Sequence, residues 1–343
     1  MWTFYSDAQR LHHPKLELMD GELVPVYETP ERADVVLQHV RARDLGPVAA
    51  ASDHGLSAAA RIHAADYLDY LAHAFEAWSA LGRSHDILPY CFPVRGMGQV
   101  RPTHPNGLAG YYAMDTSAPI TAGTWQAARG SLDCALSALA RITEQRERAA
   151  FALCRPPGHH AGSSYLAGYC YLNNAAIAAQ QLIDLGSQRV AVLDVDYHHG
   201  NGTQQIFYER SDVLFLSLHG HPASEYPYFL GHADERGAGA GLGYNLNFPL
   251  HPGTDFAAWH AALDQACRAI DTYAPDALVV SLGVDTYKDD PIARFRLETS
   301  DYLRVGERIA ACRVPTLFVM EGGYAIEALG PNVVNVLEGF ESR

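Results

Sequence analysis

The chain has 343 residues, of which 48% are hydrophobic and 19% charged, and its formal net charge is −14. This length and composition allow a large buried core in one or two domains. The acidic balance argues against nucleic acid as a partner, because phosphate binding needs clustered lysine and arginine, and it would attract small cations.

Neither a targeting segment nor a cysteine motif stands out. The start, residues 1–7, lacks a charged region followed by an apolar stretch, which argues against a signal peptide. No apolar run reaches the ~20 residues that a membrane span needs, so we expect a cytoplasmic protein with no membrane partner. The six cysteines form no Cys-x-x-Cys pair, so any metal should be held by histidine and carboxylate.

Short apolar runs alternate with alanine-rich helical windows after residue 110. The runs have the length of strands and cover residues 148–154, 190–195, 213–218, 277–282 and 316–320. Helical windows cover residues 174–185 and 257–273. This alternation predicts an α/β fold with a mainly parallel sheet and helices on both faces. No linker divides the chain, so we expect a single domain over residues 1–343.

Two segments interrupt the alternation. Residues 82–110 are long, irregular and rich in proline, and such loops are usually functional or disordered. The glycine-rich residues 237–243 would bind a dinucleotide only if they followed a strand and opened a helix. They run instead into residues 244–249, which look extended, so a flexible loop is the better interpretation.

The first chemical motif is Cys154-Arg-Pro-Pro-Gly-His159-His160, directly after a predicted strand. Two prolines and a glycine stiffen the turn, so both imidazoles are held in place. Histidine titrates near neutral pH and suits acid–base catalysis. A histidine pair on a surface loop is the weaker interpretation.

The second motif is Asp194-Val-Asp196-Tyr-His198, at the end of another predicted strand. Side chains at alternate positions of an extended chain share one face, so two carboxylates and an imidazole would converge. Ligands in open α/β sheets sit beyond the carboxyl ends of the strands. Because buried unpaired charges are costly, we interpret this cluster as a metal site.

Three further strand ends carry polar side chains. Asp285 would complete the three protein ligands that a catalytic zinc takes, although a helix cap is the alternative. Tyr324, after Glu-Gly-Gly, could donate a hydrogen bond to an oxyanion, although for this motif taken alone a turn with a packed tyrosine is the better interpretation. The Ser217 hydroxyl and nearby carbonyls could hold a monovalent cation, or mark a core strand only.

Together and in this order, these motifs resemble those of the histone deacetylase-like amidohydrolases, which have the arginase/deacetylase fold. The resemblance spans nearly the whole chain. It is closest to bacterial acetylpolyamine amidohydrolases, because residues 17–25, 110–112 and 123–125 also match the pattern of that subgroup.

The resemblance implies a role for each of these positions. Zinc, or Fe²⁺, would be bound by Asp196, His198 and Asp285. The catalytic residues would be His160 as base, His159 and Tyr324, with Asp194 and Asn201 orienting the two histidines. A structural potassium ion would be held by Asp194, Asp196, His198, Ser217 and Leu218. A second potassium site would use the backbone near Phe207, Arg210, Val213 and Tyr244. The substrate channel would be walled by Tyr169 and Tyr226, with Glu17 as a further contact.

The implied reaction is hydrolysis of a small cationic acetylated amine. Asn106 and Ser117 stand where some relatives carry acids, which favours short diamines such as acetylputrescine and acetylcadaverine. The 82–110 segment matches an insertion that builds a homodimer and narrows the tunnel. A peptide or protein lysine deacetylase is the main alternative. A ureohydrolase with two manganese ions would need Asp at Gly200, and a non-catalytic binder would have no use for His160 and Tyr324.

Overall fold

A twisted parallel sheet forms the centre of the computed structural model, which describes residues 1–19, 21–94, 96 and 98–343. Within these residues the strands are β1 (Trp2–Tyr5), β2 (Leu16–Met19), β3 (Glu22–Pro25), β4 (Val48–Ala50), β5 (Ala149–Ala152), β6 (Val190–Asp194), β7 (Val213–Gly220), β8 (Asn245–Leu250), β9 (Ala277–Leu282) and β10 (Thr316–Met320). The sheet has the order β4-β1-β5-β10-β9-β6-β7-β8, and β2 pairs with β3 in a separate antiparallel hairpin.

Helices surround the sheet and bury its apolar strands. They are α1 (Glu31–Ala42), α2 (Ala65–Ser79), α3 (Pro105–Tyr111), α4 (Thr124–Thr143), α5 (Asn174–Asp184), α6 (Asn201–Phe207), α7 (Phe256–Tyr273), α8 (Asp301–Ala310) and α9 (Ile326–Glu341). Asn173 begins α5 by accepting a hydrogen bond from the Ala176 amide at 2.9 Å. Strands β5, β6, β7, β9 and β10 are buried along their whole length, as expected where helices cover both faces.

The predicted α/β class with a mainly parallel sheet is confirmed, as are the five predicted strands. The predicted helical windows correspond to α5 and α7. Strands β1 and β4 were not predicted, because each has only three or four residues and neither is a long apolar run. The glycine-rich residues 237–243 lead into β8 and not into a helix, in agreement with the rejection of a nucleotide loop.

Chain order places four motif-bearing loops side by side. Strand β6 pairs with β9, β9 with β10, and β10 with β5, so their carboxyl ends are neighbours. From β6 the chain runs outward through β7 to β8 and then returns to β9 on the other side of β6. Such a reversal opens a crevice at the carboxyl edge of the sheet, where ligands bind.

The interrupting segment 82–110 is only partly irregular. It contains α3, and Ile87 pairs with Ile120 in an isolated β-bridge. Residues 95 and 97 of this segment lie outside the described residues. Several large apolar side chains along it are exposed, including Tyr90 at 76% and Val100 at 89%.

No helix within the described ranges is long and apolar enough to cross a membrane.

A buried neutral histidine makes the fold sensitive to acid. His63 is 2% exposed, its Nδ1 lies 3.0 Å from the Gly162 carbonyl, and its Nε2 accepts the Asn173 amide at 3.0 Å. A second proton on the ring would have to bind at Nε2, where it would point at the N–H group of Asn173. Burial lowers the pKa of His63 from 6.5 to about 4.

Folding stability should consequently fall as the pH drops from 6.5 toward 4. In that window the unfolded chain takes up a proton that the folded chain excludes, which costs up to about 3 kcal/mol. In the variant His63→Gln, the number of protons taken up on unfolding should be smaller by about one, so the unfolding free energy should depend less steeply on pH. Urea titrations from pH 7.5 to 4.5 measure this slope. The exposed His73→Gln is the matched control. Parallel pH profiles for all three proteins would contradict this prediction.

Candidate active site

Three predicted metal ligands converge at the carboxyl ends of β6 and β9. The Nδ1 atom of His198 lies 3.3 Å from an Asp196 oxygen and 3.1 Å from an Asp285 oxygen. Potential ligand atoms of the three residues all lie within 4.8 Å of one another, and all three side chains are buried. One imidazole and two carboxylates form a donor set that suits zinc or ferrous iron.

The charges of this group need a cation to balance them. Burial and the neighbouring Asp196 charge raise the pKa of Asp285 to about 7. Burial alone would raise the pKa of Asp196, but the charges of His159 and His198 hold it below its usual range. Two carboxylates this close and this deeply buried are stabilised by a bound cation, so the residues fit the metal that the sequence predicts.

Two glycines leave the space that these carboxylates occupy. A Cβ atom built on Gly283 would overlap a carboxylate oxygen of Asp196. A Cβ on Gly322 would lie 2.5 Å from oxygens of both Asp196 and Asp285. The Gly322 amide also donates to Asp196 at 2.7 Å. Gly283 and Gly322 therefore shape the candidate metal site, and Gly322 does so in addition to its place in the turn before Tyr324.

The adjacent imidazoles of His159 and His160 have different partners. The His159 Nδ1 atom lies 2.9 Å from Asp194, whereas the His160 Nδ1 atom lies 2.6 Å from the Asn201 side-chain oxygen. Burial lowers the pKa of His159, but the charges of Asp194 and Asp196 raise it to about 10. Burial, reinforced by the neighbouring histidines, lowers the pKa of His160 well below 6.5.

The hydrogen bond to Asn201 selects the tautomer of His160, whereas burial beside His159 and His198 favours its neutral form. Since the Asn201 oxygen can only accept, His160 carries its proton on Nδ1 and leaves Nε2 with a free lone pair. An amide partner stabilises an imidazolium less than a carboxylate does. His160 is therefore the better base of the pair, and His159 the better fixed positive charge.

The side chain of Tyr324 is held from behind by a guanidinium. The Arg32 guanidinium carbon lies 4.7 Å from the centre of the Tyr324 ring, and Arg32 donates to the carbonyls of Gly323 and Glu321 at 2.7 and 2.6 Å. Asp290 accepts the Tyr324 amide at 2.7 Å. Burial raises the pKa of Tyr324, so its hydroxyl stays protonated and able to donate.

His160, His198 and Tyr324 line a pocket of about 440 Å³. Both predicted wall residues, Tyr169 and Tyr226, also line it. The ring centre of Tyr226 lies 5.0 Å from that of His160, and the ring centre of Tyr169 lies 5.7 Å from that of Tyr324. The volume and the convergent polar groups are those of a small-molecule site.

Glu17 does not line this pocket. It is 1% exposed, accepts the Tyr27 amide at 3.3 Å and interacts with the side chain of Tyr169. Its position supports the channel wall from behind, and direct contact with substrate stays a prediction. Asn106 is also outside the pocket, bonded to Arg83, whereas Ser117 lines it.

The predicted potassium residues are brought together in part. Asp194 and Ser217 are register partners on β6 and β7, and Leu218 follows directly. The Ser217 hydroxyl lies 2.8 Å from Nδ1 of His219, and Asp194 accepts the Asp196 amide at 3.2 Å. Potassium binding at this group, and at the second predicted site, stays a prediction.

Sequence reasoning missed three carboxylates that hold backbone amides. Glu321 accepts the Gly158 and His159 amides at 2.7 and 3.1 Å, and burial raises its pKa to about 7. Asp115 lines the pocket and accepts from Tyr226 and Ser117. Asp290 holds the Tyr324 loop. Glu321 stands inside a recognised motif, whereas the bonds of Asp115 with Tyr226 and of Asp290 with Tyr324 join residues that are distant in sequence and leave no local signal.

A second group of possible ligands consists of His159, Cys170 and Glu321. The Cys170 thiol donates to the Gly168 carbonyl at 3.2 Å, and burial raises its pKa well above 9. Glu321 is already occupied by backbone amides. A protonated thiol is a poor metal ligand, so we interpret this group as structural support.

A comparison with known families decides where the chain belongs. The model of the histone deacetylase domain matches residues 26–340. The chain belongs to the histone deacetylase family. As a member, it is a hydrolytic deacetylase, as the sequence motifs predicted.

Individual relatives within the histone deacetylase family show which of its members this chain resembles. The chain is 56% identical over 341 residues to acetylpolyamine amidohydrolase 2 of Pseudomonas aeruginosa, covering 99% of both chains. It is 46% identical over 339 residues to the acetylpolyamine amidohydrolase of Mycoplana ramosa, again covering 99% of both. A crystal structure of acetylpolyamine aminohydrolase from Burkholderia pseudomallei superposes with a TM-score of 0.95 at 42% identity, covering 100% and 99%. The predicted resemblance to bacterial acetylpolyamine amidohydrolases is confirmed.

Proposed function

We propose that this protein hydrolyses N-acetylated polyamines and diamines to acetate and the free amine, with a zinc ion at Asp196, His198 and Asp285. The observation that carries the proposal is that His198, which is grouped with Asp196 and Asp285, lines the same pocket as His160 and Tyr324. The names of the full-length relatives support the substrate class. Ferrous iron is an alternative that the same ligands accept.

When bound, the divalent ion supplies a Lewis acid and lowers the pKa of water at the site. The residues of the chain supply the remaining functions. His160 accepts a proton through Nε2 and returns it to the leaving amine. His159 keeps a positive charge beside the carboxylates. Tyr324 donates its hydroxyl hydrogen to the oxygen that becomes negative in the transition state.

The variant Tyr324→Phe isolates that hydroxyl donor. The ring can keep its contacts with Arg32 and Tyr169, so only the donor is lost. We expect kcat to fall by roughly 10²–10³-fold, as when other oxyanion donors are removed. The control Tyr273→Phe removes a hydroxyl bonded to the Ser211 carbonyl, outside the pocket. An unchanged kcat in Tyr324→Phe with acetylputrescine would remove this residue from the mechanism.

We infer that short acetylated diamines are preferred. Two carboxylates line the described pocket, and one of them, Glu225, lies 3.6 Å from Arg294, which offsets its charge. Asp115 is the other carboxylate, and it could pair with the single distal ammonium group of an acetylated diamine. This supports acetylputrescine and acetylcadaverine over longer polyamines.

The test compares kcat/KM for acetylputrescine, acetylcadaverine, acetylspermine and an acetyl-lysine peptide on zinc-loaded protein. Acetylated diamines should have the highest values, and uncharged N-acetylbutylamine should be poorer than acetylputrescine. A maximum for acetylspermine would refute the diamine preference. A maximum for the peptide would favour the alternative, a lysine deacetylase.

We further propose one catalytic domain over residues 1–343 that forms a homodimer through the 82–110 segment, whose partner copy narrows the tunnel. The exposed apolar side chains Tyr90 and Val100 support this, because large exposed apolar groups cost less when covered. The variant Tyr90→Ser/Val100→Ser should shift the mass by light scattering from dimer to monomer. The control Leu185→Ser changes an exposed apolar side chain elsewhere. A fully active wild-type monomer would refute the proposal, and the cytoplasmic location stays a prediction.

A further inference from the structure

A second cavity, of about 1090 Å³, lies at the edge of the sheet opposite the candidate active site. Its walls include residues 146–148, just before β5, and residues 313–315, just before β10. The remaining walls come from α7, the end of α8 and the last residue of the chain. It is therefore at the amino ends of the strands, whereas the catalytic residues follow their carboxyl ends.

Six of the residues that line this second cavity are arginines, and we call it the arginine cavity. The six arginines are Arg146, Arg148, Arg304, Arg308, Arg313 and Arg343, and the lining carboxylates are Glu147, Asp271 and Glu307. The sequence contains 23 arginines and has a net charge of −14, so a quarter of its guanidinium groups collect around one concavity. The local charge is opposite in sign to that of the whole chain.

Several of these guanidinium groups have no carboxylate beside them. Arg308 pairs with Asp264, and Arg343 lies 3.4 Å from Glu307. Arg148 donates to the Phe340 carbonyl and, at 2.9 Å, to the main-chain carboxyl oxygen of Arg343. Among the described residues, no carboxylate lies within 4.0 Å of Arg146, Arg304 or Arg313, and Arg304 lies over the ring of Phe256.

Helix ends alone do not explain the arrangement. Basic side chains favour the last turn of a helix, which accounts for Arg308 in α8. Arg146 and Arg313 instead lie three residues beyond the ends of α4 and α8. Both have a left-handed backbone, with φ of 57° and 55°, where glycine or asparagine would be less strained. Two arginines thus border one cavity at positions that disfavour them.

We propose that the arginine cavity binds a compact polyanion, a small molecule carrying two or more phosphate groups. Guanidinium forks pair with phosphate through two parallel hydrogen bonds, and several unpaired forks favour several phosphates. The volume of about 1090 Å³ lies just above the ~300–1,000 Å³ of ordinary ligand sites. Nine of the fifteen lining residues are charged, which favours a charged ligand over an apolar one.

The test uses inorganic triphosphate as the probe and isothermal titration calorimetry as the readout. Wild-type protein should bind it saturably at one site per chain. The variant Arg146→Ser/Arg313→Ser should bind at least about tenfold more weakly, and the affinity of the wild type should fall with added salt. The control Arg10→Ser/Arg236→Ser removes the same charge from exposed positions that do not line the cavity, and should bind as the wild type does.

Three results would overturn the proposal. The wild type could fail to saturate with triphosphate, or the cavity variant could bind as tightly as the wild type. Phosphatidylglycerol vesicles could bind through the same arginines while triphosphate does not, which would indicate a membrane surface. Removal of the active-site metal by triphosphate would affect the cavity variant and the control equally, so their comparison is independent of the deacetylase activity.

Discussion

Asp285→Asn is expected to lose bound zinc and to lower kcat/KM for acetylputrescine by ~10³-fold or more, because Lewis-acid stabilisation contributes several kcal/mol. The change is nearly isosteric. The Asp285 oxygen that accepts the Tyr197 amide at 2.7 Å has an equivalent in asparagine. Elemental analysis after dialysis and steady-state kinetics measure the two effects.

The folded state of Asp285→Asn should nevertheless survive. One buried carboxylate beside Asp196 is removed, so the metal-free variant should be at least as stable as the metal-free wild type. Added zinc should raise the melting temperature of the wild type only, by the stabilisation that a ligand gives to the folded state. The control Asp276→Asn alters an exposed carboxylate that accepts the Gln188 and Arg189 amides. A variant that keeps both metal and rate would contradict the assignment of Asp285.

His160→Ala is expected to lower kcat by roughly 10²–10⁴-fold while the metal content stays unchanged. In the proposed mechanism Nε2 of His160 transfers the proton, and its imidazole is not among the three proposed ligands. The two variants should therefore differ: His160→Ala should lose activity but keep its metal, whereas Asp285→Asn should lose both. Measurement of both quantities on one preparation gives the comparison.

Added imidazole should partly restore the rate of His160→Ala, because the deleted side chain leaves a space that a free base can enter. Rescue should be absent in Asp285→Asn, which lacks metal. Loss of zinc from His160→Ala, or a rate close to that of the wild type, would place the base elsewhere.

The sequence predicted which polar residues gather at one edge of the sheet, and it did so for a physical reason. Buried parallel strands are short apolar runs, and polar residues directly after them must lie at one edge. Asp194, Asp196 and His198 share one strand end, so their spacing alone indicated a cation site. Asp285 was added because it also follows a buried strand and would complete the three protein ligands of a catalytic zinc, and the family resemblance then implied the same set.

Other features could not be predicted, because they depend on contacts between distant segments. Asp290 reaches the Tyr324 amide across 34 residues, and Glu321 reaches the Gly158 amide across 163. Neither bond leaves a periodic pattern in the sequence. The short strand β4 packs at the sheet edge with three residues, which is too few for an alternation signal. The arginine cavity likewise joins segments that are far apart in the chain.

The absence of side chains at Gly283 and Gly322 has a consequence for mutational tolerance. In a saturation screen, these two positions should rank with Asp196 and Asp285 as sites where almost every replacement inactivates the enzyme. The reason is that even a single methyl group would displace an oxygen of those carboxylates. The need for space beside these carboxylates should therefore restrict evolution of the site as strictly as the need for its reactive groups. Changes in substrate specificity should then arise in the surrounding loops.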